Sequence, residues 1–133
     1  MKNFVITFAV AFFLGIALTA TGMNYLNKGP NYPEGVMTVI NMKMSALKSN
    51  VQQNRCTPTD IIPHLQTIRY VGNDIEAAFG EMSNNDQFVR YASDFRASAD
   101  DVLSTPPANC AAAEVAINKL GKACDNCHRD YRN

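Results

Sequence analysis

Nothing in this 133-residue sequence alternates between apolar and polar residues with period two, and neither Asn-Gly nor Asp-Gly occurs. A sheet of half-buried strands joined by tight hairpins is therefore excluded as the main architecture. Neither sign of charge dominates either: 12 Lys+Arg stand against 12 Asp+Glu. No basic stripe is available to neutralise nucleic-acid phosphates. Histidine occurs only twice, at His64 and His128. There is no glycine-rich phosphate loop, no paired carboxylate arrangement and no activated nucleophile. Internal repeats and low-complexity tracts are also absent. These gaps argue against an enzyme that turns over a substrate.

At the amino terminus a basic start, Lys2, precedes residues 4–22, which carry no charge at all. Such a run reads as a secretory signal or as an uncleaved membrane anchor. Small residues at Ala20 and Gly22 favour cleavage. An apolar run longer than the usual ~7–15 residues, with no Ala-x-Ala at its end, favours retention. Both readings export the remainder. The expected division is a leader over 1–22, a polar, Pro/Gly-containing linker over 23–33, and one domain over 34–133. Without the leader, Lys2 is lost and 11 basic residues face 12 acidic ones, so any docking rests on local patches rather than net charge.

Four helices are predicted in the domain. Val36, Ile40, Met44, Leu47 and Val51 recur at helical spacing, which places the first helix over about residues 34–53 with Pro33 just ahead of it. Leu65, Ile68, Val71 or Gly72, Ile75, Ala78 and Phe79 mark the second, with Pro63 in its first turn. A turn over 80–85 leads to a third helix bearing Phe88, Tyr91, Ala92, Phe95, Ala99, Val102 and Leu103, which stops before Pro106-Pro107. Asn109 is the expected cap of a fourth helix reaching about Tyr131. The pattern predicts an all-α protein, an antiparallel four-helix bundle with short connections. In an up-down-up-down arrangement the first and third connections share an end. Cys56 and Cys110 lie in those connections, so either a disulfide or two buried thiols is expected there.

The most specific stretch is Cys124-Asp125-Asn126-Cys127-His128. Two thiols three residues apart on a helix, followed by histidine, allow haem c to be tethered by two thioethers while the imidazole reaches its iron. His128 is the expected proximal ligand. A redox dithiol would sit near a βαβ pattern, and a zinc site would need a second ligand pair; the sequence has neither. His64 falls near the start of the second helix, away from His128, and is expected to be exposed or near a cap.

The ending Leu120-Gly121-Lys122-Ala123-Cys124-Asp125-Asn126-Cys127-His128-Arg129-Asp130-Tyr131-Arg132 resembles the cytochrome c prime family and its low-spin, methionine-ligated relatives. An aromatic and a basic residue stand three and four positions after the histidine, as in that family. Weaker similarity around Phe95, Leu103 and the first helix extends the resemblance over residues 34–133. It implies a four-helix bundle with haem attached near the carboxyl end of helix four, and a distal side facing helix one. An apolar distal residue there leaves the iron five-coordinate; a methionine makes it six-coordinate. Met44 aligns with the distal position and lies near the centre of the apolar stripe, whereas Met42 points nearly to the opposite side. Asn41 stands where relatives often carry glutamine. Ile40 departs from the family, which often has an arginine there near the haem propionates. Arg132 and Arg129 are candidate propionate partners, and Phe95, Phe88 and Tyr91 are candidate haem-lining aromatics.

The expectation is an exported, periplasmic, monohaem electron carrier whose partners are periplasmic or membrane redox proteins. Its alternative is a five-coordinate haem protein that binds nitric oxide or carbon monoxide. The resembling family commonly dimerises, so a homodimer is a further expectation. The membrane would be met only through a retained leader.

Overall fold

The computed structural model describes residues 2–26 and 31–132, and among them it is helical without a strand. It divides into an amino-terminal unit up to Asn31 and a unit from Tyr32 onward. The first contains α1 (Lys2–Leu26), within which Ile6–Met23 is long and apolar enough to cross a membrane and none of it is buried. A signal sequence meets the same criterion. The Thr19 hydroxyl donates to the Gly15 carbonyl at 2.7 Å, and that of Thr21 donates to the Ala17 carbonyl. Folding hydroxyls back onto the helix keeps its surface apolar. Of the expected linker, residues 23–26 continue α1 and 32–33 open the next helix; residues 27–30 lie outside the described residues.

The second unit begins with α2 (Tyr32–Gln52), whose stripe Val36, Ile40, Met44 and Leu47 is buried as the spacing predicts. The stripe then steps three residues to Asn50 rather than four to Val51. Asn50 is 7% exposed, and each end of its side-chain amide has a partner. Nδ2 donates to the Asp60 carbonyl at 2.8 Å, while Oδ1 accepts from Arg55 Nη2 at 3.0 Å. A buried amide is tolerated because both its ends are paired. Asn54 then turns the chain with φ 54°, a left-handed conformation that asparagine adopts readily after a helix.

The next helix, α3 (Pro58–Val71), starts five residues before the expected Pro63. Thr57, Pro58 and Asp60 form the actual start. The Thr57 N–H donates to Asp60 Oδ2 at 3.1 Å, and proline at the first helical position loses no bond. Pro63 therefore sits inside α3, a correction to its placement in the first turn. The predicted continuation to Phe79 is also broken. After Val71 the chain passes through a 3-10 turn (Gly72–Asp74), a short helix α4 (Ile75–Ala78) and a second 3-10 segment (Gly80–Asn84). A Cβ at Gly72 would lie 3.1 Å from Cε1 of Phe95, and Arg96 Nη1 donates to the Gly72 carbonyl at 3.3 Å. The break lets the backbone approach the Phe95 ring.

The last two elements are α5 (Asp86–Ser104), capped by Asn85, and α6 (Cys110–Tyr131), capped by Asn109, whose side chain accepts from the Ala112 N–H at 2.9 Å. α2 packs against α3 and α6, and α5 does likewise. Cross-links show that neighbours run in opposite directions. Arg69 pairs with Asp100 and Arg96 with Glu76 between the α3–α4 stretch and α5, each at 2.6 Å; Lys119 pairs with Asp101, and Tyr91 with Asp130, between α5 and α6. Leu47, Leu65, Ile68, Ala99 and Leu120 are sealed in the shared core.

Cys56 and Cys110 are joined at disulfide distance, their Cα atoms 5.2 Å apart. The two are 54 residues apart in sequence, and closing a loop of that length stabilises a fold by about 4 kcal/mol on the chain-entropy account. The double variant Cys56→Ser/Cys110→Ser is expected to lose on the order of 4 kcal/mol in urea unfolding. A loss under about 1 kcal/mol would show that the bridge contributes little to the native state.

Candidate functional site

Position along α6 decides which of its groups meet. Residues three and four apart share a helix face, so Cys124, Cys127 and His128 come together within two turns. All three line a cleft of about 240 Å³ between α2, α4, α5 and α6. α2 supplies Met37, Ile40, Asn41, Met44 and Lys48 to it, α4 supplies Ile75, and α5 supplies Tyr91, Ala92 and Phe95. Gly121, Ala123 and Asp125 complete the α6 side, with Arg132 just past its end, and a Cβ on Gly121 would meet nothing within 4 Å. The α2, α4 and α5 walls are mostly apolar, and two cations, Lys48 and Arg132, line the cleft with one carboxylate, Asp125.

The expected residues therefore divide. Met44, 8% exposed, lines the cleft with Phe95, Tyr91 and Arg132, whereas Met42 is 62% exposed and lines no part of it. Met37, two turns before Met44, lines it too. Phe88 is a correction to the haem-lining set: it is buried against Phe79 and Tyr131, with ring centroids 5.6 and 5.3 Å away. Arg129 is exposed, with Nε 3.4 Å from Asp130 Oδ1, and takes no part in the cleft. Lys48 escaped notice in the sequence, although its spacing of four from Met44 placed it on the same face.

The thiols are not poised for exchange. Burial, and then the neighbouring Asp125 and Cys127, push the Cys124 thiol up to about 11; burial and Asp130 raise that of Cys127. A redox dithiol needs the opposite, a stabilised thiolate. Among the described residues no group of three or more His, Cys, Asp or Glu side chains is placed to hold a bare metal ion. The donor set of the cleft instead offers one imidazole, two thiols and two thioethers, those of Met37 and Met44, around a mostly apolar space.

His64 sits on α3, outside the cleft, half-buried and with Nδ1 enclosed without a hydrogen-bond partner. It is neither a cap nor fully exposed. Burial, then the charge of Lys43, lowers its pKa from the ordinary value of 6.5. No family model, curated protein or solved structure matches the chain.

A histidine held neutral in the fold resists a proton that the unfolded chain accepts. Stability is therefore expected to fall as the pH drops below about 6.5. Replacing His64 with phenylalanine should flatten that dependence in urea midpoints measured between pH 7.5 and 5. An unchanged slope would assign the acid sensitivity to other groups.

Proposed function

We propose that this protein is an exported monohaem c-type cytochrome that carries single electrons. It would be an antiparallel four-helix bundle with haem c attached near the carboxyl end of α6, related to the cytochrome c prime family that its ending resembles. The observation that carries the proposal is the convergence of Cys124, Cys127, His128 and Met44, from two different helices, on one largely apolar cleft.

The residues present fit that group. Thioether formation consumes thiols that sit half-buried on one face of α6, and the His128 imidazole follows the second of them directly. The haem would supply one-electron exchange at its iron. Met44 presents a thioether from α2 to the cleft; as a second iron ligand beside His128 it would raise the reduction potential and favour outer-sphere transfer. Phe95, Ile40 and Ile75 would exclude water from a bound haem, and Arg132 and Lys48 would offer cations to its propionates. The joined Cys56 and Cys110 accord with an oxidising compartment, and α1 with export to the periplasm as a cleaved signal or a retained tether.

Two measurements test the proposal. Cys124→Ala/Cys127→Ala is expected to yield protein whose haem leaves entirely on acid-acetone extraction, while the wild type keeps it; extraction of haem from the wild type would refute covalent attachment. Optical spectra of oxidised and reduced protein, with and without carbon monoxide, address the sixth ligand. The expected wild-type spectrum is low-spin, resists carbon monoxide and contains a thioether-to-iron charge-transfer band that Met44→Ala abolishes. A high-spin spectrum that shifts with carbon monoxide and ignores that substitution would replace electron carriage with gas binding.

A further inference from the structure

The final turn of a helix lacks partners for its carbonyls and is held from outside or frays. In α6 this turn carries His128, and α5 holds it through two hydrogen bonds. Tyr91 Oη donates to Asp130 Oδ2 at 2.6 Å, and Tyr131 Oη donates to Asn85 Oδ1 at 2.9 Å. The same Asn85 oxygen caps α5, accepting from the backbone N–H groups of Gln87 at 3.0 Å and Phe88 at 3.2 Å. One side-chain carbonyl thus begins α5 and secures the end of α6. Edge-on rings reinforce the junction, with Tyr131 centred 5.3 Å from Phe88 and 6.2 Å from Tyr91.

Asn85, Asp130 and Tyr131 stand outside the cleft that His128 lines. None of the three lines the cleft, although Asp130 and Tyr131 follow Cys127 by three and four residues and Tyr91 is part of the cleft wall, so the clasp acts on the site by fixing the last turn of α6. The thioether tethers at Cys124 and Cys127 would fix the preceding turn to the macrocycle. His128 lies between those tethers and the clasp, and the orientation of its imidazole depends on both.

We infer that Asn85, Tyr131 and Asp130, with the Tyr91 hydroxyl, are positioning residues that lock the last turn of α6 and hold the His128 imidazole on the iron. The inference rests on the haem-binding reading above. Loosening the clasp weakens the iron–histidine bond without removing the haem, because the thioethers remain.

Nitric oxide, which binds ferrous haem tightly enough to displace the Met44 thioether where carbon monoxide does not, provides the probe, since its binding weakens the bond to the ligand on the opposite side. The nitrosyl protein then divides between a six-coordinate form that retains His128 and a five-coordinate form that has lost it, distinguished by electron paramagnetic resonance. The wild type should be mainly six-coordinate. Asn85→Ala should raise the five-to-six ratio about tenfold, a change equal to about 1.4 kcal/mol. Tyr131→Phe, which keeps the ring, should move it in the same direction, and Asn85→Asp, which keeps an acceptor, should restore it. Lys119→Met, which breaks the Lys119–Asp101 pair elsewhere between α5 and α6, should leave the ratio unchanged. Amide exchange at residues 129–131 should quicken in the first two variants alone. Unchanged ratios in Asn85→Ala and Tyr131→Phe, an equal shift in Lys119→Met, or a wild type that releases His128 outright would overturn the inference. A wild type without covalent haem would overturn the haem reading itself, and the inference with it.

Discussion

Four apolar stripes face one another across the unit from Tyr32 onward, and the candidate site exists because their packing is incomplete in one region. Where Leu47, Leu65, Ile68, Ala99 and Leu120 meet, the interior is sealed. Further along α6, toward its carboxyl end, Gly121 offers no side chain and the helices enclose an open cleft instead. Close packing elsewhere makes such a gap informative, since a folded interior leaves few voids without a group to fill them.

The two ends of the unit are secured by different means. Around the α2–α3 junction, Asn50 ties Asp60 and Arg55 together, Thr57 and Asp60 start α3, and Cys56 is joined to Cys110 at the start of α6. These groups are polar or covalent, and they serve connections. At the other end aromatic rings and tyrosine hydroxyls bind α5 to α6 around the turn that bears His128. Both ends hold the helices in register, so the walls of the cleft have fixed partners above and below.

Much of this was legible in the sequence, for a physical reason. Helix periodicity identifies core stripes, and those on α2 and α5 are buried largely where spacing placed them; on α6 the expected Ala111 and Val115 are exposed, and Ala113, Ile117 and Leu120 form the buried face, because a helix rich in small alanines offers two competing registers. Asn109 announces a helix start, and the C-x-x-C-H spacing depends only on local helix geometry. Other features escaped. Pro63 suggested a helix start because proline is usually tolerated there, yet the Thr57–Pro58–Asp60 cap prevailed. Gly72 looked like one more residue of a continuous helix, although the approach of Phe95 and Arg96 breaks the helix there. Phe88 and Phe95 belong to one stripe, and no periodicity tells which of them faces a cleft and which faces Tyr131.

The sequence by itself determined the helical class, most of the apolar stripes, the long uncharged run at the amino terminus and the local grouping of Cys124, Cys127 and His128. Each follows from interactions within a few residues along the chain. Tertiary structure alone decided that Phe95 and not Phe88 lines the cleft, that Lys48 and Arg132 line it together, and that Asn85 reaches Tyr131 across 46 residues. Those outcomes depend on how whole helices rotate and pair, which is set by the summed packing of every stripe and not by any short segment.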